Sequence, residues 1–222
     1  AIELDTGMGL VNLADEYERL CARDLAGEME AENLSRRKRV QLEDAMVALD
    51  LSVVHEDQDS VATSVSFRHL SLLAQVKPED DAVWDSLRST GSIDQPTEAL
   101  KDRLIRMRSW IASEHFPDEM RITLLEAPSA AALNELTVDQ RKVLVALETN
   151  LRSADWTAEG ITEAFKSTAT EAAVSMRDVY RASYALFMGT ERGPRLAPIL
   201  ANCDRETMVE LVRRSQVVKG GH

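Results

Sequence analysis

The chain has 222 residues, a formal charge of −12, and a hydrophobic content of 44% of which aromatics supply only 5% of all residues. That length holds one large helical domain or two small ones, and nine glycines and six prolines with so few aromatics favour helices over a sandwich or barrel, whose strands draw on aromatic and β-branched side chains. The negative charge excludes a generic nucleic-acid coat, because non-specific affinity depends on neutralising phosphates with Lys and Arg.

A first helix is predicted over residues 10–29, with Leu10, Leu13, Ala14, Tyr17, Leu20 and Cys21 on one apolar face and Asp15, Glu16, Glu18 and Arg19 on the wet side. The run Ser35-Arg36-Arg37-Lys38-Arg39 opens a second helical stretch through Leu49. Its four successive cations point in different directions around a helix, so a solvated face is expected over a phosphate contact. Residues 55–63 (HEDQDSVAT) are polar, lack periodicity and are expected to form a mobile loop. A helix resumes near Ser66, burying Phe67, Leu70 and Leu73 or Ala74, and another covers 80–87 with Trp84 and Leu87 inward.

Gly91 then interrupts, and Asp94 and Pro96 are placed to start a long helix whose apolar stripe is Leu100, Leu104, Met107 and Ile111, stopping at Pro117. Residues 121–125 (RITLL) suit a short extended segment. Thr137 and Gln140 have capping-box spacing ahead of Val143, Leu144, Leu147 and Leu151. Trp156-Thr157 begins the next helix, with Ile161, Ala164, Phe165 and Thr168 inward. A helix over 176–188 buries Val179, Ser183, Leu186 and Phe187 and ends at Gly189. Two short helices follow, one beginning at Pro194 and one capped by Asp204. The expected fold is all-α, an irregular multi-helix bundle with helical subdomains 1–95 and 96–222, a seam near Gln95 and no internal repeat.

The search for chemistry is mostly negative. No apolar run approaches the ~20 residues that span a bilayer, and the first residues do not have the pattern of a signal segment, so a soluble, cytoplasmic protein is expected. Cys21 and Cys203 lack CxxC or Cys/His spacing and read as small buried residues. His55, His69, His115 and His222 are too scattered for a metal site. No nucleophile stands beside a base, and there is no glycine-rich phosphate loop. No catalytic residue, metal or cofactor is therefore expected in this chain.

Charge, however, is uneven. From Ser175 to the end there are eight basic residues (Arg177, Arg181, Arg192, Arg195, Arg205, Arg213, Arg214, Lys219) against five acidic (Asp178, Glu191, Asp204, Glu206, Glu210), a balance of +3 that leaves −15 on the first 174 residues. Within this end, Gly189-Thr190-Glu191-Arg192-Gly193-Pro194-Arg195-Leu196 places two arginines around a Gly-Pro pair between helices. Guanidinium groups pair bidentately with base edges or phosphates and stack on unpaired bases, as an RNA loop requires. An ordinary corner whose arginines pair with Glu191 and with carbonyls has the same sequence, and on the residues alone that is the favoured expectation.

The segment from Tyr184 to Leu196 resembles the carboxy-terminal signature of class I lysyl-tRNA synthetases, aromatic-x-x-Leu-x-Gly-x-Glu-Arg-Gly-Pro-Arg; glutamyl-tRNA synthetases have a looser relative of it. Three further places agree in order. Residues 2–10 leading into Asp15-Glu16-Tyr17-Glu18-Arg19-Leu20 resemble the family's entry into its first cage helix, Ser66-Phe67-Arg68-His69-Leu70 its Ser-Phe-Arg-x-Leu element, and Trp156-Thr157-Ala158-Glu159-Gly160-Ile161 its Trp-Thr-Ala-Glu-x-Ile turn. The resemblance implies an α-helix cage that grips the anticodon arm of tRNA(Lys), beside a catalytic domain of the same polypeptide that uses ATP. The HIGH-type and KMSKS-type ATP motifs of that domain are not found here, and Ala1 is no initiator methionine. A fragment that is inactive alone is thus expected, without a DNA or membrane partner.

By the same resemblance Arg192, Gly193, Pro194, Arg195 and Leu196 line the anticodon pocket, with Arg181 and Arg68 as outlying members. The arginines are expected to make base-edge and phosphate contacts, Gly193 to permit close approach, and Pro194 with Leu196 to offer apolar surface to a base. Alternatives are a stand-alone helical interaction protein of the same cage, which the acidic body favours, and the equivalent domain of a glutamyl-tRNA synthetase.

Overall fold

Side-chain caps set where most of the helices begin. Ser66, Thr97, Ser129, Thr137, Thr157, Ser175 and Asp204 each accept a hydrogen bond from the backbone N–H three residues on, satisfying a donor the helix itself leaves unpaired. The computed structural model describes residues 7–31, 33–52 and 65–216, among which there are helices and turns and no strand, so the chain is all-α. It falls into two units, Ala1–Phe116 and Pro117–His222.

The first unit contains α1 (Met8–Cys21), α2 (Leu25–Met29), α3 (Arg36–Ser52), α4 (Phe67–Val76), α5 (Asp80–Ser89) and α6 (Glu98–Ile111). Its core joins Leu70 and Leu73 of α4 to Val83, Trp84 and Leu87 of α5 and to Leu100, Leu104 and Met107 of α6. The single helix expected over 10–29 is two. Asp24 caps α2 through Gly27 N–H, and a Cβ on Gly27 would lie 2.2 Å from the Asp24 carboxylate, so glycine admits the cap that breaks the helix. The expected face of α1 is also corrected. Val11 is buried while Leu10 and Leu13 are exposed. Glu18, assigned to the wet side, accepts from Phe67 N–H (2.6 Å) and from Arg103 Nη2 (2.7 Å). These contacts turn the acidic flank of α1 towards α4 and α6.

The seam expected near Gln95 lies inside this unit. Arg103 donates to the Val65 carbonyl just before α4, and Arg108 donates to the Ala74 and Lys77 carbonyls at its end, so α6 is held along the whole of α4. The cap of α6 is Thr97, one residue after Pro96. The four cations at the start of α3 are exposed, as a solvated face requires. Residues 55–63, expected to be a loop, lie outside the described residues.

The second unit contains a 3-10 turn (Asp118–Met120), α7 (Ala130–Asn134), α8 (Val138–Ser153), α9 (Ala158–Glu171), α10 (Met176–Met188), α11 (Leu196–Ala201) and α12 (Arg205–Ser215). Helix α8 packs against α9, α10 and α12, and α11 against α9. The core is built on Leu144, Leu147, Leu151, Phe165, Leu186 and Phe187. The capping box of α8 is complete, and its Gln140 also donates to Asp178 (2.9 Å) at the start of α10. Residues 121–125 form no strand, but Leu125 N–H donates to the Phe187 carbonyl (2.8 Å) at the end of α10. Cys21 and Cys203 are half-buried.

Candidate nucleic-acid interface

The corner between α10 and α11 is shaped by four local devices. Gly189 ends α10 in the left-handed region (φ 67°), and the N–H groups of Gly189 and Thr190 return to the carbonyls of Ala185 and Tyr184. Thr190 Oγ1 donates to the Arg192 carbonyl (2.9 Å). The Tyr184 hydroxyl shares its proton between the carbonyls of Pro194 (2.7 Å) and Gly193 (3.1 Å). Finally, a Cβ on Gly193 would sit 3.3 Å from both the Tyr184 ring and Met188 Sδ. The close approach that Gly193 permits is therefore to its own α10.

Pro194 does not open α11, which begins at Leu196. A helix starting at Pro194 would send that residue's carbonyl to the N–H of residue 198, and Pro198 has none. The carbonyl turns to Tyr184 instead. Leu196 is 0% exposed, so it packs in the core and offers no surface to a base, contrary to its expected role. Pro194 is half-buried.

The cations divide into free and committed. Arg192 and Arg195 are exposed, and neither side chain has a hydrogen bond or ion pair among the described residues. Arg181 is bound to Glu191. The pairing anticipated for an ordinary corner thus falls on Arg181, which relieves Arg192 and Arg195 of Glu191. Arg68 lies in the first unit, where its Nε donates to Asp15 (2.6 Å) and ties α4 to α1. Arg192, Gly193, Pro194 and Arg195 share one loop, with Arg181 behind it, whereas Arg68 belongs to a helix-helix tie.

Arg195 also borders a cleft of about 580 Å³ between α9, α10 and the start of α11, lined further by Tyr180, Tyr184, Ala158, Glu159, Thr162, Glu163 and Pro198 and backed by Leu196. The Trp-Thr-Ala-Glu turn supplies the opposite wall. Thr157 caps α9 through Gly160 N–H, and a Cβ on Gly160 would lie 2.2 Å from the Asp155 carbonyl, so only glycine lets the chain fold back there. The Trp156 indole N–H donates to the Cys203 carbonyl (2.9 Å) and its ring lies 5.4 Å from the Arg205 guanidinium, which anchors the turn to the α11–α12 connection. Tyr180 stacks edge-on against Phe165 (5.4 Å) and lies 6.4 Å from Tyr184. Burial, then the neighbouring Tyr180, raises the Tyr184 pKa above the ordinary phenol value, so the hydroxyl stays a donor.

Sequence reasoning missed Tyr180, Glu159 and Thr162. The i, i+4 spacing of Tyr180 and Tyr184 was a usable signal, since it puts both rings on one face of α10.

Comparison with known proteins defines the class first. Residues 71–214 match the sequence profile of a family described as an anticodon binding domain, and the chain belongs to that family. Lysine-tRNA ligases are among the relatives it matches. It is 27% identical to a lysine-tRNA ligase of Thermococcus kodakarensis over 96% of this chain and 40% of the relative. The lysine-tRNA ligases of Thermoplasma volcanium and Methanopyrus kandleri are 25% and 27% identical over 96% of this chain, covering 39% and 38% of their own length. The chain thus spans about two fifths of the relatives it matches.

Proposed function

We propose that this chain recognises the anticodon arm of a tRNA, that of lysine, and serves a cytoplasmic lysine-tRNA ligase whose ATP-dependent catalytic domain lies elsewhere in the polypeptide. Membership of the anticodon-binding family supports RNA recognition, and the relatives named lysine-tRNA ligase support the choice of tRNA. The observation that carries the reading is a pair of arginines, Arg192 and Arg195, without a partner among the described residues, on a loop whose shape is held by Tyr184 and Gly189. A free guanidinium on a pre-shaped loop loses little freedom on binding and gives up no internal ion pair. The acidic charge over the rest of the chain repels phosphates, so binding is restricted to this basic end.

The test is titration of a lysine anticodon stem-loop. Arg192→Ala and Arg195→Ala are each expected to weaken binding by ~1–3 kcal/mol if they contact bases, and to flatten its salt dependence if they contact phosphates. Arg68→Ala is expected to leave affinity unchanged, because Asp15 already holds that guanidinium.

A further inference from the structure

Helix α3 is apolar on two opposite sides. Leu42 is buried, and Ala45 and Leu49 are half-buried, at i, i+3 and i+7 on the face that packs against α1 and α2. Val40, Val47 and Leu51 recur at i, i+7 and i+11 on the other side, where they are 46%, 58% and 78% exposed. Among the described residues nothing covers this second stripe.

The charges of α3 run against the helix that carries them. Arg36, Arg37, Lys38 and Arg39 fill its first turn, Glu43, Asp44 and Asp50 follow, and there is no acid in the first turn and no base in the last. A helix favours the reverse order, with anions at its positive N-terminal end and cations at its negative C-terminal end. Neighbouring side chains do not compensate. Those of Arg36, Arg37, Arg39, Glu43, Asp44 and Asp50 make no hydrogen bond or ion pair among the described residues. By helical spacing Arg36 and Arg37 are neighbours of Val40, and Glu43, Asp44 and Asp50 are neighbours of Val47, so the charges border the exposed stripe. The face therefore calls for a partner that is acidic at one end, apolar in the middle and basic at the other. A second α3 turned end for end has that pattern.

We infer that the chain self-associates as a two-fold dimer in which α3 pairs antiparallel with α3 of a second copy. The symmetry sets Val40 of each copy opposite Leu51 of the other and brings Arg36 and Arg37 to the other's Asp50, twice over. Antiparallel helices also bring each positive N-terminal end beside a negative C-terminal end, which offsets the adverse order of charge within each helix. A parallel pair would instead set four cations against four cations. Asp44 falls opposite Val47 at the centre, and this carboxylate within the stripe keeps the contact weak. The inference is independent of the RNA-binding reading, since α3 belongs to the first unit and the arginine loop to the second.

The experiment is sedimentation of the 222-residue chain from about 1 to about 200 µM, which brackets the micromolar affinity of a small interface. The average mass should rise with concentration towards that of two chains and no further. Arg36→Glu/Arg37→Glu makes the exposed face acidic throughout and Glu43→Lys/Asp50→Lys makes it predominantly basic. Each variant alone should associate at least about ten-fold more weakly, and an equimolar mixture of the two should form a mixed dimer. Leu51→Gln, a single exposed substitution that leaves every charge in place, should weaken the wild-type dimer by about five-fold. Circular dichroism checks that each variant keeps its helix content. A wild-type chain that stays monomeric over the whole range overturns the inference and assigns the stripe to some other partner. A dimer that the charge variants and Leu51→Gln leave unchanged, or folded charge variants that do not pair when mixed, overturns it as well.

Discussion

Tyr184 shows how one residue of a helix serves a neighbouring loop. Its ring is the surface on which Gly193 lies, and its hydroxyl holds the Gly193 and Pro194 carbonyls, so both arginines are presented on a backbone fixed from one side. Tyr184→Phe removes the hydrogen bonds and keeps the ring. It is expected to lower stability by ~1 kcal/mol, seen as a shift of the urea midpoint; an unshifted midpoint would mean that the loop is held by other contacts. Two titrating residues give acid sensitivity in separate windows. Burial lowers the His69 pKa, so as pH falls through the ordinary histidine range the unfolded chain gains a proton that the folded chain does not, and stability declines. Asp178 is lowered by hydrogen bonds from Ser175 and then Gln140; its contribution is present above the ordinary carboxylate range and is lost as pH falls through the depressed value. In denaturant titrations at a series of pH values, His69→Gln should remove the decline nearer neutrality and Asp178→Asn the one at lower pH.

At the scale of elements, local signals were legible and distant ones were not. The caps at Thr137, Thr157 and Asp204 and the stop at Gly189 involve residues within a turn or so of one another, so spacing alone reveals them. Glu18 was misplaced because its partners lie 49 and 85 residues away, at Phe67 and Arg103, and periodicity carries no information about such pairs. The same is true of the seam at Gln95, where no composition shift reports that Arg103 and Arg108 clamp α6 to α4. Within the candidate site, the arginine loop was visible from residue types, whereas the cleft needed α9 and α10 side by side. Two substitutions test these elements. Glu18→Gln weakens charge-assisted bonds to both Phe67 N–H and Arg103 in a pair only about a quarter exposed (26% each), and should cost about 1–3 kcal/mol. Gly160→Ala forces a methyl against the Asp155 carbonyl and should cost about 1–3 kcal/mol while displacing the Glu159 wall; an amide-exchange map would place the loosening at the first turn of α9.

For the whole molecule, charge and length carry the argument. On the proposed reading this acidic chain binds RNA only at its basic end, and the affinity is expected to fall as salt screens that end. The chain matches about two fifths of each lysine-tRNA ligase, and an ATP–pyrophosphate exchange assay on the 222 residues is expected to read zero. The anticodon binding domain match covers residues 71–214, and the proposed reading puts recognition at the arginine loop within them. The most direct measurement is the affinity of the wild-type chain and of the Arg192→Ala/Arg195→Ala double variant for a lysine anticodon stem-loop at low salt, with folding checked by circular dichroism. A folded double variant that binds at least about ten-fold more weakly is the predicted result; equal affinity of the two proteins would contradict the assignment of RNA recognition to this corner.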